Sequence, residues 1–122
     1  MRKMVIIFIS FCVFLGVGNI AYADSKNICL HNKGGYIAKL QVYNGTRSSY
    51  THIYETDNIT EGFTKCLQIP DSLPTIEIIA YEVSGGPFCD SAYYQNSMKS
   101  FPDTVTITTK KLFWNPTCEG MP

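Results

Sequence analysis

The amino-acid sequence predicts an all-β protein, a small antiparallel β-sandwich stabilised by two disulfides. Short segments in which apolar and polar residues alternate recur along the chain, and Gly, Pro and Asn residues separate them. No long amphipathic helical pattern interrupts this series. Cysteines are spread over the same stretch, as they are in small exported domains whose core alone stabilises them weakly.

The chain begins with the pattern of a secretory signal peptide. A positively charged start precedes an apolar block at residues 4–17, and Ala21 and Ala23 form a small-x-small cleavage site before Asp24. A retained membrane anchor is the alternative. That reading is disfavoured because the block contains Ser10 and is short for a hydrocarbon layer about 30 Å thick.

Removal of residues 1–23 leaves a single β-sandwich domain at residues 24–122, with no transmembrane segment in the mature chain. We therefore expect a secreted or periplasmic protein after cleavage near Ala23. The mature chain is slightly acidic and has no run of basic residues, since two basic residues leave with the signal peptide. Nucleic acid is for this reason not an expected partner.

The clearest strand pattern follows the glycine pair Gly34-Gly35. Apolar side chains occupy every second position over residues 36–42, and the polar residues Lys39 and Gln41 lie between them. The glycines supply backbone freedom for a turn or bulge at the start of the strand. Together with the apolar segment at residues 28–30, this pattern predicts one long, interrupted first strand that positions the loops and does not itself contact a ligand.

Two further strands follow a strong turn signal. The dipeptide Asn44-Gly45 predicts a hairpin that pairs the first strand with a second at residues 50–54. A third strand is predicted at residues 62–69, where alternation resumes. This alternation assigns to one face the side chains of Phe63, Leu67 and Ile69.

The second half of the chain is less regular. Residues 75–83 are apolar on both parities apart from two glutamates, which predicts a central strand covered on both faces. Residues 88–99 have no clean period, and we interpret them as a long connection with a helical turn or a short edge strand. Alternation returns at residues 104–109, and we interpret the segment from there to Cys118 as one last strand.

Five cysteines become four once Cys12 leaves with the signal peptide. An even number in a small exported chain predicts two disulfides, for which three connectivities are possible. A bridge between Cys89 and Cys118 would tie the C-terminal tail to the loop after the central strand, and Cys29 would then pair with Cys66. A zinc site is the alternative, but the cysteines are widely separated and form no C-x-x-C pair, so we expect no metal.

Catalytic motifs are not apparent in the sequence. The mature chain contains only His31 and His52 as histidines, and it has no G-x-S-x-G nucleophile elbow. The cysteines are assigned to disulfides, which leaves no thiol nucleophile. The glycine pairs at residues 34–35 and 85–86 lack the helix and the Lys-Ser/Thr of a phosphate loop. We therefore expect no enzyme activity and no cofactor, with a secreted hydrolase or a protein inhibitor as the alternative.

Two aromatic groups remain as candidate binding residues, one in the irregular connection and one near the end of the last predicted strand. Tyrosine and tryptophan combine a large contact area with a polar atom and are common at interfaces. Packing in the core and loops is the alternative. A disulfide between Cys89 and Cys118 would bring the two groups side by side as one surface. The candidate binding residues are Phe88, Tyr93, Tyr94, Leu112, Phe113 and Trp114.

The first predicted strand also resembles a known family. Residues 32–43, with the Gly-Gly-Tyr-Ile-Ala motif that begins at Gly34, are similar to the first strand of the C-terminal domain of thiol-activated, cholesterol-dependent cytolysins. The order that follows is similar too. A hairpin precedes a strand that ends in a proline turn at residues 67–70, and an Ile-rich strand at residues 76–83 precedes a long loop and a last strand running into Leu112.

The resemblance implies a β-sandwich that recognises a target cell surface with the loops at one end, so the expected partner is a membrane surface, a glycan or a host protein. Carried over by position, the recognition loop falls at residues 84–94, and the sterol-reading Thr-Leu pair falls at Lys111 and Leu112. The lysine replaces the threonine and the loop lacks the tryptophans of the family, which argues against cholesterol. Because only a signal peptide precedes the domain, we expect no pore formation.

Overall fold

The computed structural model describes residues 24–112 and 115–122, with side chains described throughout except at residues 111, 112, 115 and 116. Over these residues the chain is almost entirely β. The strands are β1 (Ser25–Asn32), β2 (Ala38–Thr46), β3 (Ser49–Glu55), β4 (Thr64–Pro70), β5 (Ile76–Glu82), β6 (Gly86–Tyr93), β7 (Thr104–Leu112) and β8 (Asn115–Glu119). A 3-10 helix spans Ser97–Ser100. None of the described helical segments has the length and apolar character needed to cross a bilayer.

The strands form two four-stranded sheets that pack face to face. The first sheet has the order β4-β1-β7-β8, and the second has the order β3-β2-β5-β6. Neighbouring strands are antiparallel except for β1 and β7, which are parallel. The predicted fold class, an all-β sandwich with two disulfides, is confirmed.

The predicted first strand is in fact two strands. β1 and β2 lie in different sheets, and the loop at residues 33–37 carries the chain from one sheet to the other. The prediction of one interrupted strand was wrong because alternation reports which face a side chain occupies and not which strand lies beside it. Gly34 is required in this loop, since a Cβ atom at that position would collide with the ring of Tyr36.

The structure contains a hairpin that the sequence predicted and another that was predicted as a single strand. The hairpin predicted from Asn44-Gly45 is confirmed as β2 and β3, but its turn lies at residues 47–48. Gly45, with a φ of 122° in a region that favours glycine, lies at a register shift within β2. The prediction of one last strand was wrong. β7 and β8 pair with each other, and Leu112 lies opposite Asn115 in their ladder. The irregular connection contains the edge strand β6 and the 3-10 helix.

The core lies between the sheets and is formed by alternate positions of the inner strands. Its fully buried members are Ile28, Leu30, Ala38, Leu40, Val42, Ile69, Ile76, Ile78, Ala80 and Ile107. β5 lies inside its sheet between β2 and β6. The predicted central position of β5 is confirmed, but on its other face only Ile79 is buried, at 1% exposed, and Glu77 and Tyr81 are half-buried, so the strand is not covered on both faces.

Both predicted disulfides are present. One lies within a single sheet and the other joins the two sheets. Cys29–Cys66 joins two directly paired residues of β1 and β4, so it reinforces a ladder within one sheet. Cys89–Cys118 joins the edge strands β6 and β8 and therefore links the two sheets. With sequence separations of 37 and 29, the loop-entropy account gives each bridge about 3–4 kcal/mol of stabilisation.

The two ends of the sandwich are built from different segments. The loop end comprises residues 33–37, 56–63 and 83–85. The helical end comprises residues 71–75 and 94–103, which include the 3-10 helix. β7 is parallel to β1 and ends beyond Asn32, so Leu112 lies at the loop end.

Candidate functional site

The loop end is organised around one buried side-chain amide, that of Asn32 at the end of β1. Its Nδ2 donates to the carbonyl oxygens of Tyr36 at 2.7 Å and Ile59 at 2.9 Å. Its Oδ1 accepts from the backbone N–H of Gly34 at 2.9 Å and from Thr109 Oγ1 at 3.1 Å. Two donors and two acceptor positions are thus all used, and the amide holds two loops against the ends of β1 and β7.

Backbone hydrogen bonds fix the same loops. The N–H of Asn32 donates to the carbonyl of Phe63 at 3.0 Å, and the N–H of Gly62 donates to the carbonyl of Asn32 at 2.7 Å. On the second sheet, the N–H of Val83 donates to the carbonyl of Ile37 at 2.9 Å. The backbone of the loop end is therefore held in place without help from a ligand.

Three large apolar side chains are exposed on these fixed loops. The exposed fractions are 42% for Ile37, 62% for Phe63 and 47% for Val83. Two other large hydrophobic side chains are comparably exposed within the described residues, Tyr50 and Tyr94, and neither lies at the loop end. Exposed apolar side chains gathered at one place mark interaction surfaces, whereas scattered ones do not. We call Ile37, Phe63 and Val83 the apolar tip.

Tyr36 precedes Ile37 in the same loop and belongs to the hydrophobic core. Its ring is buried and packs edge-to-face against Phe88, with 5.6 Å between ring centroids. Burial raises the pKa of Tyr36 against the opposing effect of a hydrogen bond with Thr109, and the charge of Glu82 raises the pKa further. The phenol is therefore protonated at neutral pH and serves as part of the packed floor of the loop end.

The structure divides the four described members of the six predicted binding residues between the two ends of the sandwich. Leu112 is the last residue of β7, at the loop end, and Phe113 and Trp114 lie outside the described residues. Phe88 is half-buried near the start of β6, on the loop-end side, where it contacts Tyr36.

Tyr93 and Tyr94 lie at the helical end. Tyr93 ends β6 opposite Ile76, its ring packs edge-to-face on Phe101 at 5.1 Å, and its hydroxyl donates to the carbonyl of Pro122. Tyr94 is 53% exposed. The Cys89–Cys118 bridge therefore does not bring these two tyrosines to Leu112, because β6 runs away from the loop end. The binding role of the six residues stays a prediction.

None of the three residues of the apolar tip is among the six binding residues predicted from the sequence. Phe63 was expected to share a packed face with Leu67 and Ile69, and this was wrong for Phe63, which precedes β4 and projects into solvent. A signal was present for Ile37. It has the parity of Lys39, so strict alternation already assigns its large apolar side chain to the solvent face.

The two histidines lie in different sheets. His31 Nδ1 is 2.7 Å from Thr64 Oγ1, between β1 and β4. His52, on β3, packs its ring edge-to-face on Tyr54 at 4.5 Å. Among residues 24–112 and 115–122, no group of three or more His, Cys, Asp or Glu side chains is placed to hold a metal ion.

Solved structures with a similar fold are found among bacterial toxins. A disulfide-locked mutant of intermedilysin with human CD59 matches with a TM-score of 0.52 and 12% identity, over 80% of this chain and 24% of the toxin chain. Listeriolysin O matches with a TM-score of 0.52 and 14% identity, over 80% of this chain and 22% of that one. A non-hemolytic pneumolysin from Streptococcus pneumoniae matches with a TM-score of 0.51 and 13% identity, over 78% and 23%.

The fold is similar to part of the cholesterol-dependent cytolysins. This likeness confirms, for the fold, the resemblance that begins at Gly34. The chain spans about a quarter of the length of these toxins, with 24% of the intermedilysin chain covered. No protein-family model matches the chain, and no curated protein sequence matches it.

Proposed function

We propose that this domain binds the surface of a cell membrane through its loop end. The observation that carries the proposal is the apolar tip, in which Ile37, Phe63 and Val83 are exposed on loops fixed by hydrogen bonds. Apolar area that moves from water into the boundary of the lipid headgroups gains about 25 cal/mol per Å². Since the loops are already ordered, little conformational entropy is lost on binding.

The proposal extends to the segment that links β7 and β8. Leu112 lies at the loop end, and Phe113 and Trp114 follow it in the sequence. Tryptophan is enriched where membrane and water meet, because its ring is apolar and its N–H is a hydrogen-bond donor. Tyr93 and Tyr94 take no part, since they lie at the helical end.

The likeness in fold supports a role in recognition. Intermedilysin, one of the toxins of similar fold, has been solved with human CD59. The part of those toxins that this chain matches is about a quarter of their length, and we propose that the domain acts without forming a pore and without catalysis.

Export is a further part of the proposal. Residues 1–23 act as a cleaved signal peptide, and both disulfides are compatible with a periplasm or an extracellular medium. N-terminal sequencing of the exported protein should give Asp24 as the first residue. A chain that keeps Met1 in the exported fraction contradicts this part.

Sedimentation with vesicles tests membrane binding. The disulfide-bonded protein is mixed with phosphatidylcholine vesicles, with and without cholesterol, and the bound fraction is measured. Ile37→Ser and Phe63→Ser should each weaken binding about fivefold, because burying the exposed half of such a side chain is worth about 1 kcal/mol. The double substitution should weaken binding by about the product of the two effects.

Tyr94→Ser is the matched control. Tyr94 is 53% exposed, similar to the members of the apolar tip, but it lies at the helical end. Its substitution should leave vesicle binding unchanged. Wild-type protein that binds none of the vesicles, or an equal loss in Tyr94→Ser and Phe63→Ser, contradicts the proposal.

A further inference from the structure

The outer face of the second sheet, which points away from the core, has an unusual composition. On this face Ile79 is 1% exposed and Tyr43 is buried, although none of the described strands or helices forms a second layer over it. Their neighbours Ile78 and Val42 point to the opposite side, into the core. Side chains on the outer face therefore pack over one another, which gives a more rigid surface than a fully solvated sheet face.

Glu55 is the centre of a hydrogen-bond network that crosses three strands of this face. Its Oε2 accepts from Gln41 Nε2 at 2.7 Å and from the hydroxyl of Tyr81 at 2.8 Å. Gln41 Oε1 in turn accepts from the hydroxyl of Tyr43 at 3.1 Å. Lys39 Nζ lies 3.8 Å from the other oxygen, Oε1, of Glu55. The carboxylate is thus held in one orientation while its second oxygen lies near a single cation.

The network also determines the protonation states of Glu55 and Tyr81 at neutral pH. Burial acts to raise the pKa of Glu55, but hydrogen bonds from Tyr81 and Gln41 and the charge of Lys39 outweigh it and lower the pKa. Burial and the hydrogen bond to Glu55 raise the pKa of Tyr81 to about 12. At neutral pH the carboxylate is therefore an ionised acceptor and the phenol is a donor.

An exposed ring and an ion pair flank the network. Tyr50 is 49% exposed, and it is held edge-to-face against Tyr43 with 4.9 Å between ring centroids. On the other side, the backbone N–H of Arg47 donates to Glu77 Oε1 at 2.7 Å. The guanidinium of Arg47 lies 3.8 Å from Asp90 Oδ2. Aromatic and polar groups thus alternate across the sheet.

A cavity adjoins the ion pair at the edge of this face. Its volume is about 270 Å³, and it is lined by Arg47, Pro87, Phe88, Cys89 and Asp90. Pockets for drug-sized ligands occupy about 300–1,000 Å³, so this one suits a group the size of a single sugar ring. It combines a guanidinium donor and a carboxylate acceptor with an apolar wall.

We propose that this outer face binds a neutral oligosaccharide. Tyr50, near the start of β3, supplies a ring on which one sugar ring stacks. Glu55, at the other end of that strand, and Gln41 beside it on β2 supply an acceptor and a donor at fixed positions for the hydroxyl groups of another sugar unit. The cavity beside Arg47 takes a further sugar unit. This surface is separate from the apolar tip, so the inference does not depend on the membrane proposal.

The charges of the face favour a neutral, hydroxyl-rich ligand over other classes. Lys39 and Arg47 each lie 3.8 Å from a carboxylate oxygen, so both cations of the face are already paired and offer little to a phosphate or sulfate. A protein interface is disfavoured because charged residues are depleted at the centre of such interfaces, and Lys39, Glu55 and Glu77 place charges on three neighbouring strands of this face. Sugar hydroxyls both donate and accept, as the network requires.

An NMR titration of the ¹⁵N-labelled, disulfide-bonded protein tests the proposal. The probes are maltohexaose, cellohexaose and chitohexaose, with a heparin hexasaccharide as the anionic comparison. At least one neutral probe should shift the amides of residues 39–43 and 50–55, and heparin should not. Tyr50→Ala should weaken binding about tenfold or more, Glu55→Gln about tenfold, and Tyr50→Phe less than about threefold, because a lost stacking ring or a lost charged acceptor is worth at least about 1.4 kcal/mol.

Two controls separate this surface from the rest of the molecule. Tyr94→Ala removes a tyrosine of similar exposure at the helical end, and Phe63→Ser alters the apolar tip. Both should bind the neutral probe as the wild type does. The proposal is overturned by a lack of shifts with every neutral probe at millimolar concentration, by equal binding in Tyr50→Ala, or by a response to heparin alone.

Discussion

The two ends of the sandwich close the space between the two sheets in different ways. At the helical end, Met98 and Phe101 are buried and close the space between the sheets. At the loop end, closure is achieved with the polar side chain of Asn32, and Ile37 and Phe63 remain in solvent. Both ends thus bury apolar groups, and the loop end in addition leaves Ile37, Phe63 and Val83 exposed on loops held by hydrogen bonds.

The helical end reaches its closed form at a conformational cost. Gln95 and Asn96 both have positive φ values, 58° and 61°, which cost non-glycine residues about 1 kcal/mol or more each. This conformation places the N–H of Asn96 2.9 Å from the carbonyl of Pro74 and starts the 3-10 helix that carries Met98 inward. Burial of Met98 offsets the cost.

The loop end also buries two large side chains, Ile59 and Tyr36, but its loops are held in addition by the side-chain amide of Asn32. Ile59 is its one deeply buried large aliphatic side chain among the described loop residues, and hydrogen bonds hold the rest. Because an amide fixes backbone without covering it, the neighbouring apolar side chains stay accessible. These accessible side chains are the contact surface of the proposed membrane binding, and the following substitutions test the contrast between the two ends.

The largest effect is expected at Asn32. Asn32→Ala removes four hydrogen bonds, each worth about 1 kcal/mol, so the free energy of unfolding should fall by about 4 kcal/mol. Urea unfolding measures this change, and hydrogen exchange should show faster exchange at residues 33–37 and 56–63. Asn58→Ala, at an exposed asparagine in the loop at residues 56–63, should change the free energy of unfolding by less than about 0.5 kcal/mol. Similar values for the two substitutions would show that the amide does not organise the loop end.

The next effect is expected at the helical end. Met98→Ala should lower the free energy of unfolding by about 3 kcal/mol, because it leaves a cavity at a buried position. Phe63→Ala deletes a larger side chain at the loop end, but it should change stability by less than about 0.5 kcal/mol since that side chain is 62% exposed. Thermal and urea unfolding compare the two. If Phe63→Ala destabilises as much as Met98→Ala, the two ends do not differ in the way described.

The smallest effect concerns a lysine that ties β1 to the helical end. Lys26 Nζ donates to the carbonyl of Phe101 at 3.0 Å and lies 3.7 Å from Asp103. Lys26→Met keeps most of the side-chain volume and should lower stability by about 1 kcal/mol through the lost hydrogen bond. Lys99→Met breaks an exposed ion pair with Asp71 and should have an effect below about 0.5 kcal/mol. Equal effects measured by urea unfolding would place Lys26 among ordinary surface ion pairs.

Much of the fold could be predicted because its signals are local. The pleat of a strand sends successive side chains to opposite faces, so alternation at residues 36–42 and 104–109 marks strands wherever they pair. The hairpin signal at Asn44-Gly45 is equally local, since positive φ is accessible to glycine without steric cost, although the turn itself lies at residues 47–48. The position of Cys118 relative to Cys89 was enough to favour the pairing that the structure contains.

The candidate sites were harder to predict because they depend on which segments meet. Nothing in the neighbourhood of Asn32 shows that Thr109 supplies one of its partners, 77 positions away. Arg47 and Asp90 are likewise ordinary polar residues in the sequence and become a cavity wall only when β2, β5 and β6 lie side by side.

By itself, therefore, the sequence determined an all-β chain with two disulfides and strands at nearly the right positions, because the alternation of side chains and the conformations of turns are properties of a few neighbouring residues. Only the tertiary structure decided that β1 and β2 belong to different sheets, that Tyr94 and Leu112 lie at opposite ends, and that Phe63 is exposed. Those outcomes depend on long-range pairing, which a period of two residues does not encode.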